Sequence, residues 1–249
     1  MFSETETQRV RTLVIDMARA DPRVLAGAEV GSRALGGGDR WSDLDLTFAL
    51  REDVDLGALA DEWAETLRTN EGVALLFDLP VPPTLYRVLL WPGALQVDLS
   101  WTTRAIPQRG EKFRMLFGDA VERMPRSRPD ARQSFGLAVH HALRARICIE
   151  RGRPWAAAWC IEGLRNETLT LACIARGLPE RFARSHDVLP TELLDCTRPT
   201  LVRGLGRDEL LRALAAAIDL LRDECGELVR AASPTLDADL RTLASGDLA

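Results

Sequence analysis

The chain has 249 residues, 46% of them apolar and 28% charged, ordinary globular usage that argues against a disordered chain, collagen-like repeats or a fibrous coil. That length suits one large domain or two modest ones, and two, each with its own core, is the expectation. A formal net charge of −5 gives no general pull on a polyanion, so no extended nucleic-acid surface is expected and a small or cationic ligand fits better.

Along the chain, Val10, Leu13, Val14 and Met17 recur at three- and four-residue spacing, which predicts an amphipathic helix over 4–20, ended by Asp21-Pro22. Strands are expected at 24–30 and 44–50, joined by a connection that contains Gly36-Gly37-Gly38. A second helix is expected at 56–67, then strands at 74–79, 85–90 and 95–101. In the last of these, Leu95, Val97, Leu99 and Trp101 alternate with Gln96, Asp98 and Ser100, so one face is buried and the other polar.

The pattern changes at Met124-Pro125-Arg126-Ser127-Arg128-Pro129, which reads as a linker. Nothing beyond it looks like a strand. Helices are expected at 130–151, 154–177 and 207–230, with shorter ones near 191–204 and 235–244. The fold class is therefore α+β: an N-terminal domain, 1–124, with a mixed β-sheet flanked by helices, followed by a C-terminal α-helical bundle, 129–249.

Cys148, Cys160, Cys173, Cys196 and Cys225 are odd in number, lie mostly in apolar helical stretches and form no CxxC pair, so they read as reduced core thiols. The sequence shows neither a basic-then-apolar leader nor a run of about 18 apolar residues. The cytoplasm is the expected compartment, without a membrane partner.

The chemistry concentrates at two short motifs. Asp43 and Asp45 stand two apart in a strand, so both carboxylates leave the same face while Leu44 and Leu46 pack behind them. Crowded like charges are unfavourable unless something neutralises them, and all-oxygen ligands of this kind suit Mg²⁺. Gly31-Ser32 lies at the exit of the preceding strand, where glycine allows close backbone approach and the Ser32 hydroxyl can donate to a phosphate oxygen. Asp98, on the polar face of a later strand, can close the site as a third carboxylate, either as a ligand or as a proton acceptor.

Alone, Gly-Ser is a common turn and Asp-x-Asp a common solvated strand end. The joint pattern of Gly-Ser, ten residues and Asp-x-Asp arises by chance in a chain of this length at odds of roughly one in a few hundred. The Gly36–Gly38 run matches neither a dinucleotide-binding nor a Walker loop and reads as a flexible hairpin over the phosphates. His186 has no Cys or His at metal spacing and reads as structural or solvent-exposed.

Gly31-Ser32, the spacer, Asp43-Leu44-Asp45 and Asp98 resemble the signature of the DNA polymerase beta-like nucleotidyltransferase superfamily, over about the first 105 residues. A minimal catalytic domain followed by a helical one further resembles the bacterial antibiotic nucleotidyltransferases, which adenylylate aminoglycosides or lincosamides. This resemblance implies a triphosphate, ATP, held at Gly31, Ser32, Asp43 and Asp45. It also implies two Mg²⁺ ions at Asp43, Asp45 and Asp98, and transfer of AMP to a hydroxyl with release of pyrophosphate. Either Asp98 or an acidic residue of the helical domain would be the general base.

On the helical side, Trp159, Glu162 and Asn166 are candidate contacts to a small hydroxylated acceptor, such as an antibiotic whose modification confers resistance. Beside them stand His140, Arg144, Trp155, Arg165 and Glu167. The plainer expectation for this stretch is helix-face ion pairs and buried tryptophans. Two further readings stay open: nucleotidyl transfer to a protein or tRNA, which the negative charge disfavours for tRNA, and a degenerate nucleotide-binding or partner-binding module. A homodimer is compatible with the sequence.

Overall fold

Ser3 starts the first helix. Its hydroxyl accepts from the Glu6 amide at 3.2 Å, satisfying a donor that a helix start leaves open, and α1 runs Glu4–Ala20. Val10, Val14, Ile15 and Ala18 form its buried stripe, as a 3.6-residue period requires. The computed structural model describes residues 2–125 and 130–245, so the 126–129 part of the expected linker lies outside the described residues. The chain divides into two units, Met1–Ser127 and Arg128–Ala249.

In the first unit α1 is followed by β1 (Val24–Val30), β2 (Leu44–Leu50), α2 (Leu56–Glu71), β3 (Ala74–Val81), β4 (Thr84–Trp91), β5 (Leu95–Thr103), β6 (Ile106–Gln108), β7 (Phe113–Phe117) and β8 (Val121–Arg123). Six strands make one sheet in the order β3-β4-β5-β2-β1-β7, and β6 pairs with β8 separately. Within the large sheet β2 and β5 run parallel, while the other neighbours are antiparallel. The sheet is therefore mixed, as expected. Strand β7 was not expected; its apolar residues Phe113, Met115, Leu116 and Phe117 break strict alternation, which hides the period-2 signal.

The alternation that reads from sequence decides which face is which. Leu44, Leu46, Phe48 and Leu50 of β2, with Leu95, Val97, Leu99 and Trp101 of β5, are wholly buried and share one core with α1 and α2. Trp63 of α2 stands edge-on to Phe48 and Trp101, at 5.5 and 5.6 Å between ring centroids, contacts that each add about 1 kcal/mol beyond area burial. The residues between, Asp45, Thr47, Asp98 and Ser100, consequently occupy the opposite face.

The second unit holds α3 (Ala131–Glu150), α4 (Pro154–Ala175), α5 (Thr191–Thr197), α6 (Arg207–Glu224), α7 (Gly226–Ala232) and α8 (Leu236–Ala244). Among its described residues there is no strand. Asp130 caps α3 by accepting from the Arg132 and Gln133 amides, and Pro154 opens α4 at a position where its missing N–H costs nothing. Ala138, Ala142 and Ala145 meet Ala157, Ile161 and Leu164 in the common core. The small side chains of α3 let the two helices approach closely.

Two helix expectations are corrected. The segment 207–230 is not one helix: Cys225, at φ −119° and ψ 24°, separates α6 from α7. The segment near 191–204 is α5 followed by a 3-10 turn at Arg198–Thr200, after which Leu201 is extended. The expectation of core thiols holds for Cys148, Cys160, Cys173 and Cys225, whereas Cys196 is exposed. Among the described residues no helix is long and apolar enough to cross a membrane.

Candidate functional site

The parallel pairing of β2 with β5 sets Asp45 beside Asp98, and Asp43 lies one pleat repeat before Asp45 on the same side. One carboxylate oxygen from each of Asp43, Asp45 and Asp98 can be chosen so that all lie within 4.8 Å of one another, and the three residues are half-buried. Two residues close in sequence and a third far along the chain thus meet because two strands pair in that register.

The cluster is electrostatically loaded. The Asp98 carboxyl is pushed above the ordinary carboxylate range, first by burial and then by the Asp43 charge, while a hydrogen bond from Gln96 opposes the shift. That bond, Gln96 Nε2 to Asp98 Oδ1 at 2.9 Å, fixes the orientation of the carboxylate. Gln96 is a site residue that sequence reasoning did not single out, although the period of two already placed it on the face of Asp98.

Gly31 joins β1 to this cluster. Its backbone, at φ 74° and ψ −155°, lies in a region essentially reserved for glycine. A Cβ there would also stand 2.0 Å from Asp45 Oδ2. Glycine is required twice over, once by the backbone and once by the carboxylate that fills the space. Ser32 follows as the first residue of a 3-10 turn, Ser32–Leu35, and its Oγ is buried without a hydrogen-bond partner among the described residues. A buried hydroxyl left unmatched is costly, and a ligand oxygen would match it.

The Gly36–Gly38 run, expected as a flexible hairpin, opens a loop to Ser42 that is held from within. Buried Arg33 donates to the Asp39 carbonyl at 2.8 Å and the Ser42 carbonyl at 3.2 Å, and pairs with Glu4 of α1 at 3.0 Å. Asp39 in turn accepts from the Trp41 amide at 2.9 Å. This clamp sets the entry of the chain into Asp43.

The oxygen-only donor set and its crowding fit a hard divalent cation, and the unmatched Ser32 hydroxyl fits a ligand oxygen. The arrangement can hold an anion through a divalent cation, and the Asp98 carboxylate, fixed by Gln96, can serve as a proton acceptor.

The remaining candidates lie in the second unit. Trp155, Trp159, Glu162 and Asn166 fall on one side of α4, and all four are exposed, with Trp155 at 78% and Trp159 at 66% exposure. The expectation of buried tryptophans is therefore overturned. Trp159 stands edge-on to His141 at 5.3 Å, and His141 is packed so closely on Gly163 that a Cβ there would meet its ring at 2.7 Å. Among the described residues Glu162 forms only a long contact, 3.6 Å, with Arg165. His186 is half-buried in a 3-10 turn and is shifted down, mainly by burial; it belongs to neither group.

No family model and no curated protein matches the chain. Among solved structures it is similar to an aminoglycoside 6-adenyltransferase from Bacillus subtilis, with 11% identity over 94% of this chain and 95% of that one and a TM-score of 0.40. It is also similar to a nucleotidyltransferase-like protein from Exiguobacterium sibiricum 255-15, with 14% identity over 95% of this chain and 88% of that one and a TM-score of 0.39.

Proposed function

We propose that the chain is a metal-dependent nucleotidyltransferase that moves a nucleoside monophosphate, AMP from ATP in the first instance, onto a hydroxyl of a small molecule. The observation that carries this reading is the convergence of Asp43, Asp45 and Asp98 within 4.8 Å beside the unmatched Ser32 hydroxyl. Asp43, Asp45 and Asp98 would hold Mg²⁺, which when bound neutralises the crowded carboxylates and stabilises charge on the attacking and leaving oxygens.

The chain's own groups do the rest. Gly31 lets the backbone come close to the triphosphate, and Ser32 Oγ donates to a phosphate oxygen. Asp98, oriented by its bond from Gln96, accepts the proton of the acceptor hydroxyl as its oxygen bonds the α-phosphorus. The α–β anhydride breaks, and pyrophosphate leaves with the bonding electrons. For the acceptor, the exposed face of α4 supports a small hydroxylated compound of the aminoglycoside or lincosamide kind: Trp155 and Trp159 offer flat apolar surface, and Glu162 and Asn166 offer polar contacts. The helical unit would then be the acceptor-binding domain.

The test is incubation with α-labelled nucleoside triphosphates, Mg²⁺ and a panel of aminoglycosides, lincosamides, tRNA and proteins. Label should pass to a small molecule with release of pyrophosphate, and Asp45→Asn should abolish transfer while leaving the circular dichroism spectrum unchanged. Absence of both transfer and ATP binding in the unsubstituted protein would overturn the reading.

A further inference from the structure

The second unit carries a cavity of about 560 Å³ between α5 and α6, within the size range of small-molecule sites. Leu193 of α5 with Ala216 and Leu220 of α6 give it an apolar lining, and Glu192, Asp219, Asp223 and Glu224 supply carboxylates. Glu224 is matched by Arg176, which also donates to the Ala172 carbonyl at 2.9 Å. Asp219 is paired with Arg222 at 2.9 Å. Glu192 and Asp223 have no hydrogen-bond or ion-pair partner among the described residues, so the lining is left with an excess of negative charge.

Two features of the backbone deepen that excess. Arg176 caps the end of α4 and bonds Glu224, the last residue of α6, so the two helices end side by side with their partial negative charges together. Asp223 and Glu224 also lie in the last turn of α6, where carboxylates oppose the helix dipole, and Asp219 and Asp223 repel each other at i,i+4 spacing. Arg176 already meets Glu224 and the end of α4, and Arg222 meets Asp219, so the placement left for a further cation to relieve is that of Asp223.

We propose that this cavity binds a small organic cation, an aliphatic amine whose hydrocarbon part lies on Leu193, Ala216 and Leu220 and whose ammonium group meets Glu192 and Asp223. Binding there needs no nucleotide and is independent of the transfer reaction. Cys196 supplies a local reporter, since it lines the cavity and is the one exposed cysteine of the five.

The test uses the full chain and 1,5-diaminopentane as the probe, with 1,5-pentanediol as its uncharged counterpart. The diamine should bind by calorimetry and slow the reaction of Cys196 with N-ethylmaleimide, and the diol should do neither. Glu192→Gln combined with Asp223→Asn should weaken diamine binding about tenfold, as expected for two partly exposed ion pairs. Both side chains are exposed, so this variant is expected to fold, which circular dichroism verifies. Absence of diamine binding, equal binding of the diol, or binding that the double variant leaves unchanged would overturn the proposal, whatever the outcome of the transfer assay.

Discussion

Gly31→Ala and Gly36→Ala form a matched pair, because both glycines have φ 74° yet only one touches the carboxylate cluster. At Gly36, with ψ 12° and nothing within 4 Å of an added Cβ, alanine costs only the left-handed backbone term, about 1–2 kcal/mol. At Gly31 the backbone term is about 1–3 kcal/mol, and the new Cβ would also stand 2.0 Å from Asp45 Oδ2, where real Cβ contacts are essentially never under 3.0 Å. The carboxylate must therefore retreat by about 1 Å, a displacement that costs a positioned site on the order of 100-fold in rate. Urea unfolding in EDTA and Mg²⁺-dependent transfer, measured on both variants, separate the two terms. Stability losses should be similar, while transfer falls steeply in Gly31→Ala alone. Equal rates in the two variants would refute the claim that Gly31 is reserved for the Asp45 carboxylate.

Two further outcomes are expected. Arg33→Met leaves the Asp39 and Ser42 carbonyls without their donor, so trypsin should cut after Arg40 faster than in the unsubstituted protein, and transfer should fall about tenfold from a loosened Asp43; an unchanged cleavage rate would show that Arg33 does not hold the loop. Asp21 is lowered to about 2 by Arg23, with Trp63 Nε1 also donating to it. Its stabilisation is present above the unfolded carboxylate pKa of about 4 and is lost as pH falls toward 2, so Asp21→Asn should cost about 1–2 kcal/mol at pH 7 in urea unfolding, with the gap closing below pH 4; a gap independent of pH would contradict the charge-based account.

What could be read from sequence depended on whether the determinant was local. Asp43 and Asp45 are legible because a strand's period of two is a local rule. The same rule sets Asp98 apart from its neighbours Val97 and Leu99, which point into the core, but it does not say what Asp98 faces. That β5 would lie parallel to β2, with Asp98 level with Asp45, is a non-local fact with no signature in either segment. The break between α6 and α7 was hidden because Leu221, Cys225 and Val229, spaced by four, are all buried, so the apolar period runs on through a residue that leaves the helix. Exposure of Trp155 and Trp159 was unreadable for a related reason: a tryptophan on a helix signals a contact, not whether the protein itself supplies it.

The features that local rules disfavour are the ones that mark candidate sites. Three carboxylates crowd on one sheet face, a serine hydroxyl is buried without a partner among the described residues, two tryptophans stand in solvent on α4, and carboxylates occupy the wrong end of α6. Each conflicts with what would make the isolated fold most stable, and under the two proposals a ligand would resolve each: a divalent cation, a phosphate oxygen, the hydroxylated acceptor and an organic amine, respectively. The conflicts at the sheet were visible in sequence because both halves of the conflict, Asp43 and Asp45, sit two residues apart. Those at α6 were not, because the helix end that makes Asp223 and Glu224 unfavourable depends on the break at Cys225. If ligand binding is what these placements serve, then Asp43→Asn in EDTA should raise the melting temperature by removing repulsion that no metal is present to relieve. An unchanged or lowered melting temperature would mean that the three carboxylates are already accommodated by the fold, and the case for a cation at the cluster would fall with it.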